Sequence, residues 1–295
     1  MDLLQAIILG IVQGLTEFIP VSSTAHLVFA SRYTGIYGGN PEQITATMAV
    51  IQLGTLAAVF VYFAQDIWSI STAFVRDHFA LLRGQRVELE GANKKRPRWL
   101  SDESWLGWMI VVGSVPVAIF GLVFKETIEG ALTKDLWIIA TMLIVVAVML
   151  QIAEYVGRQR KGIKELGAGE ALLVGAAQVL ALMPGASRSG STIMGGLFAG
   201  LSREAAARFS FLLMIPAISA SGLLELVEAW HILPNDSFLP LFAGTIAAGI
   251  VGYLSIWFLL AYLRRYTTTV FVIYRILLGA AILFMLWQGI ITARV

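Results

Sequence analysis

The chain contains no cysteine, which excludes disulfides, thiolate chemistry and Cys-ligated metals. Charge is also scarce: Asp, Glu, Lys and Arg make up 14% of the 295 residues, against about 25% in soluble domains, while apolar residues reach 58%. The formal charge of +2 is small and dispersed, so no nucleic-acid partner is expected. There is no Walker A loop, no dinucleotide fingerprint and no H-E-x-x-H, and His26, His78 and His231 are too scattered for a zinc site. The N-terminus has neither the basic region nor the cleavage pattern of a signal peptide, so it is expected to stay in the mature protein. What these absences leave is an all-α polytopic membrane protein forming a single integral membrane domain over 1–295.

Residues 3–19 read as a helix ended early by Pro20, too short to span, with Gln13 and Glu17 four apart on one face. Gly10 and Gly14 read as packing glycines. A short helix over 24–35 follows, so the pair forms a re-entrant hairpin. Full spans are expected at 44–63, 105–124 and 136–156, with a polar stretch over about 64–106 that holds at most an amphipathic surface helix. The order then recurs: a helix at 168–183, a short helix near 191–200, and spans at 205–229, 238–263 and 269–289.

The two halves, 1–156 and 168–290, therefore read as repeats, each a re-entrant helix-loop-helix plus three transmembrane helices. A re-entrant pair plus three crossings inverts the second copy, which places both broken elements near the midplane. Most of the 21 basic residues fall in the loops at 64–106, 156–169, 200–208 and 264–265. That side is expected to be cytoplasmic, with both termini outside.

The polar residues that interrupt these apolar segments are the candidates for chemistry. Arg188 stands inside Pro184-Gly-Ala-Ser-Arg-Ser-Gly-Ser-Thr192, and an intramembrane charge is costly to keep without a role. Its planar fork suits phosphate oxygens, while Ser187, Ser189, Gly190 and Ser191 offer hydroxyls and close backbone approach. The competing reading is an arginine merely paired with a buried carboxylate. Glu17 is the acidic counterpart, able to take a proton, hold a divalent cation or serve only as counter-ion. Ser22, Ser23 and Thr24 supply hydroxyls for attack or for helix capping, and His26 is either a base or a structural histidine. Gln13 and Gln52 read as supporting polar groups. Arg275, within two turns of a helix end, reads as a structural residue that snorkels.

Gln13-Gly-Leu-Thr-Glu-Phe-Ile-Pro-Val-Ser-Ser-Thr-Ala-His26 and Pro184–Thr192 resemble the two signature motifs of the bacterial undecaprenyl-diphosphate phosphatase family, of the bacitracin-resistance type. Ile51-Gln-Leu-Gly54 is similar to a third shared stretch, and the resemblance runs the length of the chain. It implies hydrolysis of undecaprenyl diphosphate to the monophosphate and phosphate in the bacterial inner membrane. That reaction recycles the carrier for peptidoglycan synthesis, supports cell shape and confers antibiotic resistance. Glu17, Ser23 and Arg188 match the family's acid, hydroxyl and arginine, with His26 accessory. The family's acidic motif admits Gln at its first position, here Gln13, which leaves Glu17 as the single carboxylate. Mg²⁺ or Ca²⁺ is the expected cofactor, held through Glu17 or brought by the substrate. Membrane lipid is the expected surroundings, the site is implied to open outward, and oligomeric state is left open, a homodimer included.

Whether Ser23 or a Glu17-activated water attacks phosphorus stays open at this level. The contrasting class is an inverted-repeat secondary transporter or lipid flippase, which shares the architecture but releases no phosphate. An acid-phosphatase-type lipid phosphatase would need a downstream His that is absent. A purely structural scaffold gives no reason for Arg188 or Glu17.

Overall fold

The computed structural model describes residues 1–84, 95–124 and 135–293, and every described element is helical. The helices are α1 (Leu3–Phe18), α2 (Ser23–Thr34), α3 (Pro41–Tyr62), α4 (Ala64–Leu82), α5 (Asp102–Val123), α6 (Leu136–Val156), α7 (Ala168–Val179), α8 (Arg188–Phe198), α9 (Arg203–Ile232), α10 (Phe238–Leu263) and α11 (Thr269–Trp287). Five of them, α3, α5, α6, α10 and α11, are long and apolar enough to cross a membrane, as a multi-pass protein requires. The sixth expected span is α9, whose 30 residues carry Arg203, Glu204 and Arg208 near one end and Pro216 inside. Arg86, Lys94, Lys125, Lys134 and Arg294, which entered the orientation argument, lie outside the described residues.

Local signals set the helix ends. Asp2 accepts from the Gln5 backbone N–H at 2.7 Å while the Gln5 side chain accepts from the Asp2 N–H, a reciprocal cap that starts α1. Asn40 caps α3 just before Pro41, and Asp135 caps α6 through the Trp137 N–H at 2.7 Å. The polar stretch after α3 is not mainly loop: only Phe63 separates α3 from α4, which is the amphipathic helix expected there.

Small residues let helices touch at backbone distance, the packing that works where lipid supplies no hydrophobic drive. A Cβ on Gly10 of α1 would lie 2.1 Å from the Gly244 carbonyl oxygen of α10, and one on Gly175 of α7 would lie 2.2 Å from that of Gly113 in α5. So α1 runs along α10 and α7 along α5, while α11 packs on α6 and α3 on both α9 and α10.

The loops rich in basic residues gather at one face and are tied by ion pairs. Glu170 accepts from Lys95 at 2.5 Å and Lys161 at 2.7 Å. Burial alone would raise its carboxyl pKa, but the two lysines hold it at about 2. Arg264 meets Glu204 at 2.8 Å, and Glu154 accepts from Arg203 at 2.6 Å and from the Thr268 hydroxyl at 2.8 Å. Asp2 and Ala293 lie at the opposite face, where the Leu136 N–H donates to the Ala293 carbonyl.

Candidate active site

Two helix-turn-helix segments, α1–α2 and α7–α8, meet at their turns. α1 descends 16 residues, about 24 Å at 1.5 Å per residue, before turning into α2; α7 rises from the ion-paired face and turns into α8. At each turn the residue before the new helix is a serine with positive φ, Ser22 at 75° and Ser187 at 70°. Such a conformation costs about 1–3 kcal/mol in a non-glycine residue and concentrates at working sites. The first residues of the two helices are then Ser23 and Arg188. α8 thus starts three residues ahead of the expected position, because Ser187 caps it by accepting from the Gly190 N–H at 3.1 Å.

The first turn carries a hydrogen-bonded acid and hydroxyl. Glu17 is buried, and its Oε2 accepts both from Ser23 Oγ at 2.8 Å and from Gln13 Nε2 at 3.1 Å. Ser22 occupies the helix-cap position without using its side chain, and its buried Oγ has no partner among the described residues. His26 donates from Nδ1 to the Ser22 carbonyl at 2.7 Å, since a carbonyl can only accept. Its Nε2 lies 2.6 Å from the Tyr274 hydroxyl, so that nitrogen is engaged away from Ser23. Thr24 is exposed on the other side of the helix, and Gln52, half-buried in α3, makes no side-chain bond to this cluster among the described residues.

The second turn carries cation and donors. Arg188 Nη1 is buried without a partner among the described residues, an arrangement that costs about 1–3 kcal/mol unless an acceptor arrives. Ser189 Oγ sits 3.2 Å from Ser187 Oγ and donates to the Ile19 carbonyl of the first turn at 3.4 Å, so the two turns touch. Gly190 and Ser191 are buried beside them, and Ser191 Oγ has no partner among the described residues. Thr192 Oγ1 bonds the Arg188 carbonyl at 2.7 Å and Ser210 Oγ of α9 at 2.5 Å.

Arg275 does not snorkel. It is 0% exposed, and its guanidinium turns inward to the carbonyls of Pro20 (3.2 Å), Gly185 (3.1 Å), Ala186 (2.9 Å) and Leu143 (3.1 Å). One cation thereby holds both turns against α6, and carbonyl dipoles replace the water it would have reached at the helix end. Gly185 makes this possible: φ is +89°, and a Cβ there would lie 2.2 Å from the Ile139 carbonyl oxygen. The partnership of Tyr274 with His26 and the inward turn of Arg275 were missed in the sequence. The one local signal was an arginine placed inside an apolar run.

Chemically, the arrangement offers a hydroxyl already donating to a carboxylate, two helix N-termini, and a cation with an unused donor. That combination suits an anion undergoing nucleophilic attack. For a divalent cation, no group of three His, Asp or Glu side chains converges among the described residues. Glu17 Oε1 is left as a single hard oxygen, enough to share a cation that other ligands already hold.

Comparison with known proteins agrees with this chemistry. The family model described as bacitracin resistance protein BacA matches residues 6–281. A relative from Syntrophobacter fumaroxidans named undecaprenyl-diphosphatase is 50% identical over 98% of this chain and 99% of its own. Proteins of the same name from Chlorobium phaeovibrioides and Chlorobaculum tepidum are each 46% identical over 98% of this chain and 99% of theirs.

Proposed function

The chain belongs to the bacitracin resistance protein BacA family, and we infer that it is an undecaprenyl-diphosphatase whose chemistry is done by Glu17, Ser23 and Arg188. It hydrolyses undecaprenyl diphosphate to the monophosphate and phosphate, which recycles the lipid carrier for wall synthesis. The observation that carries the site assignment is the 2.8 Å bond from Ser23 Oγ to Glu17. Ser23 Oγ attacks the terminal phosphorus while its proton passes to Glu17; the bond to the bridging oxygen breaks, and Glu17 gives that proton to the departing undecaprenyl monophosphate and is again a carboxylate. Water, deprotonated by Glu17, then attacks the phosphoserine; phosphate leaves and Ser23 recovers its proton. Arg188, with the α8 backbone N–H groups, neutralises the phosphoryl oxygens as charge develops.

Glu17 rather than His26 is the base in this scheme, because His26 spends both nitrogens on the Ser22 carbonyl and Tyr274. Gln13 orients the carboxylate, and Ser22, Ser187, Ser189, Gly190 and Ser191 line the phosphate. Mg²⁺ or Ca²⁺ fits as a cation carried by the diphosphate and shared with Glu17, supplying charge neutralisation. A requirement that follows substrate concentration rather than enzyme concentration would distinguish this from a resident metal.

An inverted duplication accounts for the geometry. The turns match at Ser22 and Ser187, and the backbone contact of Gly10 with α10 has its counterpart in that of Gly175 with α5. The ion-paired basic face fits the cytoplasm, and an outward opening of the site is what membership of the family implies. The test is purified protein in detergent: phosphate release from undecaprenyl diphosphate, a phosphoserine trapped by acid quench in the wild type, and neither in Ser23→Ala. Turnover retained by Ser23→Ala would replace the serine nucleophile with water activated by Glu17.

A further inference from the structure

The site is walled on three sides. Toward the ion-paired face, Phe18 meets Phe211 edge-on at 5.3 Å and Phe211 lies 6.2 Å from Phe63. Arg208 sits 5.8 Å over the Phe63 ring and bonds both oxygens of Asp66 at 3.0 Å, at the rim of a polar cavity of about 450 Å³. Behind the turns stands the buried Arg275 with its carbonyls. On the third side, an apolar cavity of about 370 Å³, lined by Val50, Leu53, Leu226, Leu241, Phe242 and Thr245, has the character of a lipid-chain site. Yet a Cβ on Gly54 would lie 2.0 Å from the Thr245 carbonyl oxygen, and one on Gly10 2.1 Å from that of Gly244. Backbones are thus in contact at both crossings on that side.

The fourth side is thinner. His26 lies one turn beyond Ser23 on the same face of α2. Its ring stacks on Tyr274 of α11, centroids 5.7 Å apart and planes within 10°, besides the 2.6 Å hydrogen bond. Tyr274 is 44% exposed, beside Ile273 at 54% and Leu277 at 65%, on the outer face of a membrane-spanning helix. The stacked rings of His26 and Tyr274 thus run from the residue one turn past Ser23 to the exposed face of α11. The phenol hydroxyl is satisfied by His26, so the ring presents an apolar face to its surroundings.

We propose that the polyprenyl tail of the substrate leaves the site across the α2–α11 seam, over the stacked rings of His26 and Tyr274, which makes Tyr274 a specificity-determining residue. The proposal rests on Glu17, Ser23 and Arg188 being the phosphatase centre: a diphosphate held there is bonded to a chain that has to lie in lipid, and this is the wall that faces lipid.

A short prenyl diphosphate carrying a benzophenone on its first isoprene unit is bound to the full chain in detergent and irradiated. Crosslinks are expected on α11 between Val270 and Leu277; crosslinks at Leu53, Leu226 or Leu241 overturn the proposal. In parallel, Tyr274→Ala should raise KM for that diphosphate about tenfold at near wild-type kcat, and Tyr274→Phe, which keeps the ring, should stay near wild type. A fall in kcat at unchanged KM would make Tyr274 structural and also overturn it. If the wild-type protein releases no phosphate, the phosphatase reading fails instead, while the crosslink still reports where the tail lies.

Discussion

The turn at Pro20–Ser23 and the turn at Pro184–Arg188 are built alike and carry different side chains. Each passes from a proline through a serine of positive φ into a new helix, and each shares a carbonyl with Arg275. They differ at the first helical residue, Ser23 in one and Arg188 in the other, and in what the preceding serine does. Ser187 is spent as a cap, whereas Ser22 leaves its hydroxyl unused. On the function proposed above, the first turn serves the reacting hydroxyl and its acid and the second serves charge, a division made by a few side chains on two similar turns.

If that division holds, kinetics should separate the two turns. Glu17→Gln and Ser23→Ala are expected to lower kcat by roughly a thousandfold or more with little change in substrate binding, because both act on bond formation. Arg188→Lys should keep the charge but lose the fork, lowering kcat by about a hundredfold and raising KM as well. Steady-state kinetics on the purified variants check this; identical kcat and KM changes in all three would erase the distinction.

A variant that strikes both turns at once tests what joins them. Arg275→Met removes the donor shared by Pro20, Gly185, Ala186 and Leu143, leaving buried carbonyls unpaired, at a cost of about 3 kcal/mol. The thermal unfolding midpoint in detergent should fall, and activity with it. A variant as stable as wild type would mean that each turn holds its shape alone.

The ion-paired face offers a contrast in pH. Glu170 has its carboxyl held at about 2, below its ordinary value, so its pairing with Lys95 and Lys161 contributes stability above the unfolded value. That contribution is lost as pH falls toward 2. Glu170→Gln should flatten the acid limb of the unfolding midpoint against pH and leave the neutral-pH kinetics alone.

How much of this could be read in advance follows from what is local. The helix limits 136–156 and 238–263 were legible because apolar runs end at caps or charges. Gln13 and Glu17 were legible as a pair by their spacing of four. Arg275 was misread because its position near a helix end suggests snorkelling, and the carbonyls that claim it come from three other segments. Tyr274 gave no signal at all: its partner lies 248 residues away in sequence. The early start of α8 was hidden because in a run of serines only the backbone reveals which one caps.

That last point yields the smallest and most specific test of the two turns. Ser187 Oγ accepts from the Gly190 N–H at 3.1 Å, and removing such a cap costs about 1 kcal/mol. Ser22 Oγ accepts no such bond, so Ser22→Ala gives up no cap, and removing a buried hydroxyl without a partner should leave stability unchanged or slightly raised. Ser187→Ala should therefore unfold at a lower temperature than Ser22→Ala, while Ser22→Ala loses activity without losing stability, its hydroxyl being free for phosphate. Equal destabilisation by the two substitutions would mean that Ser22 also caps its helix, and the turns would then differ only in what stands at the first helical residue.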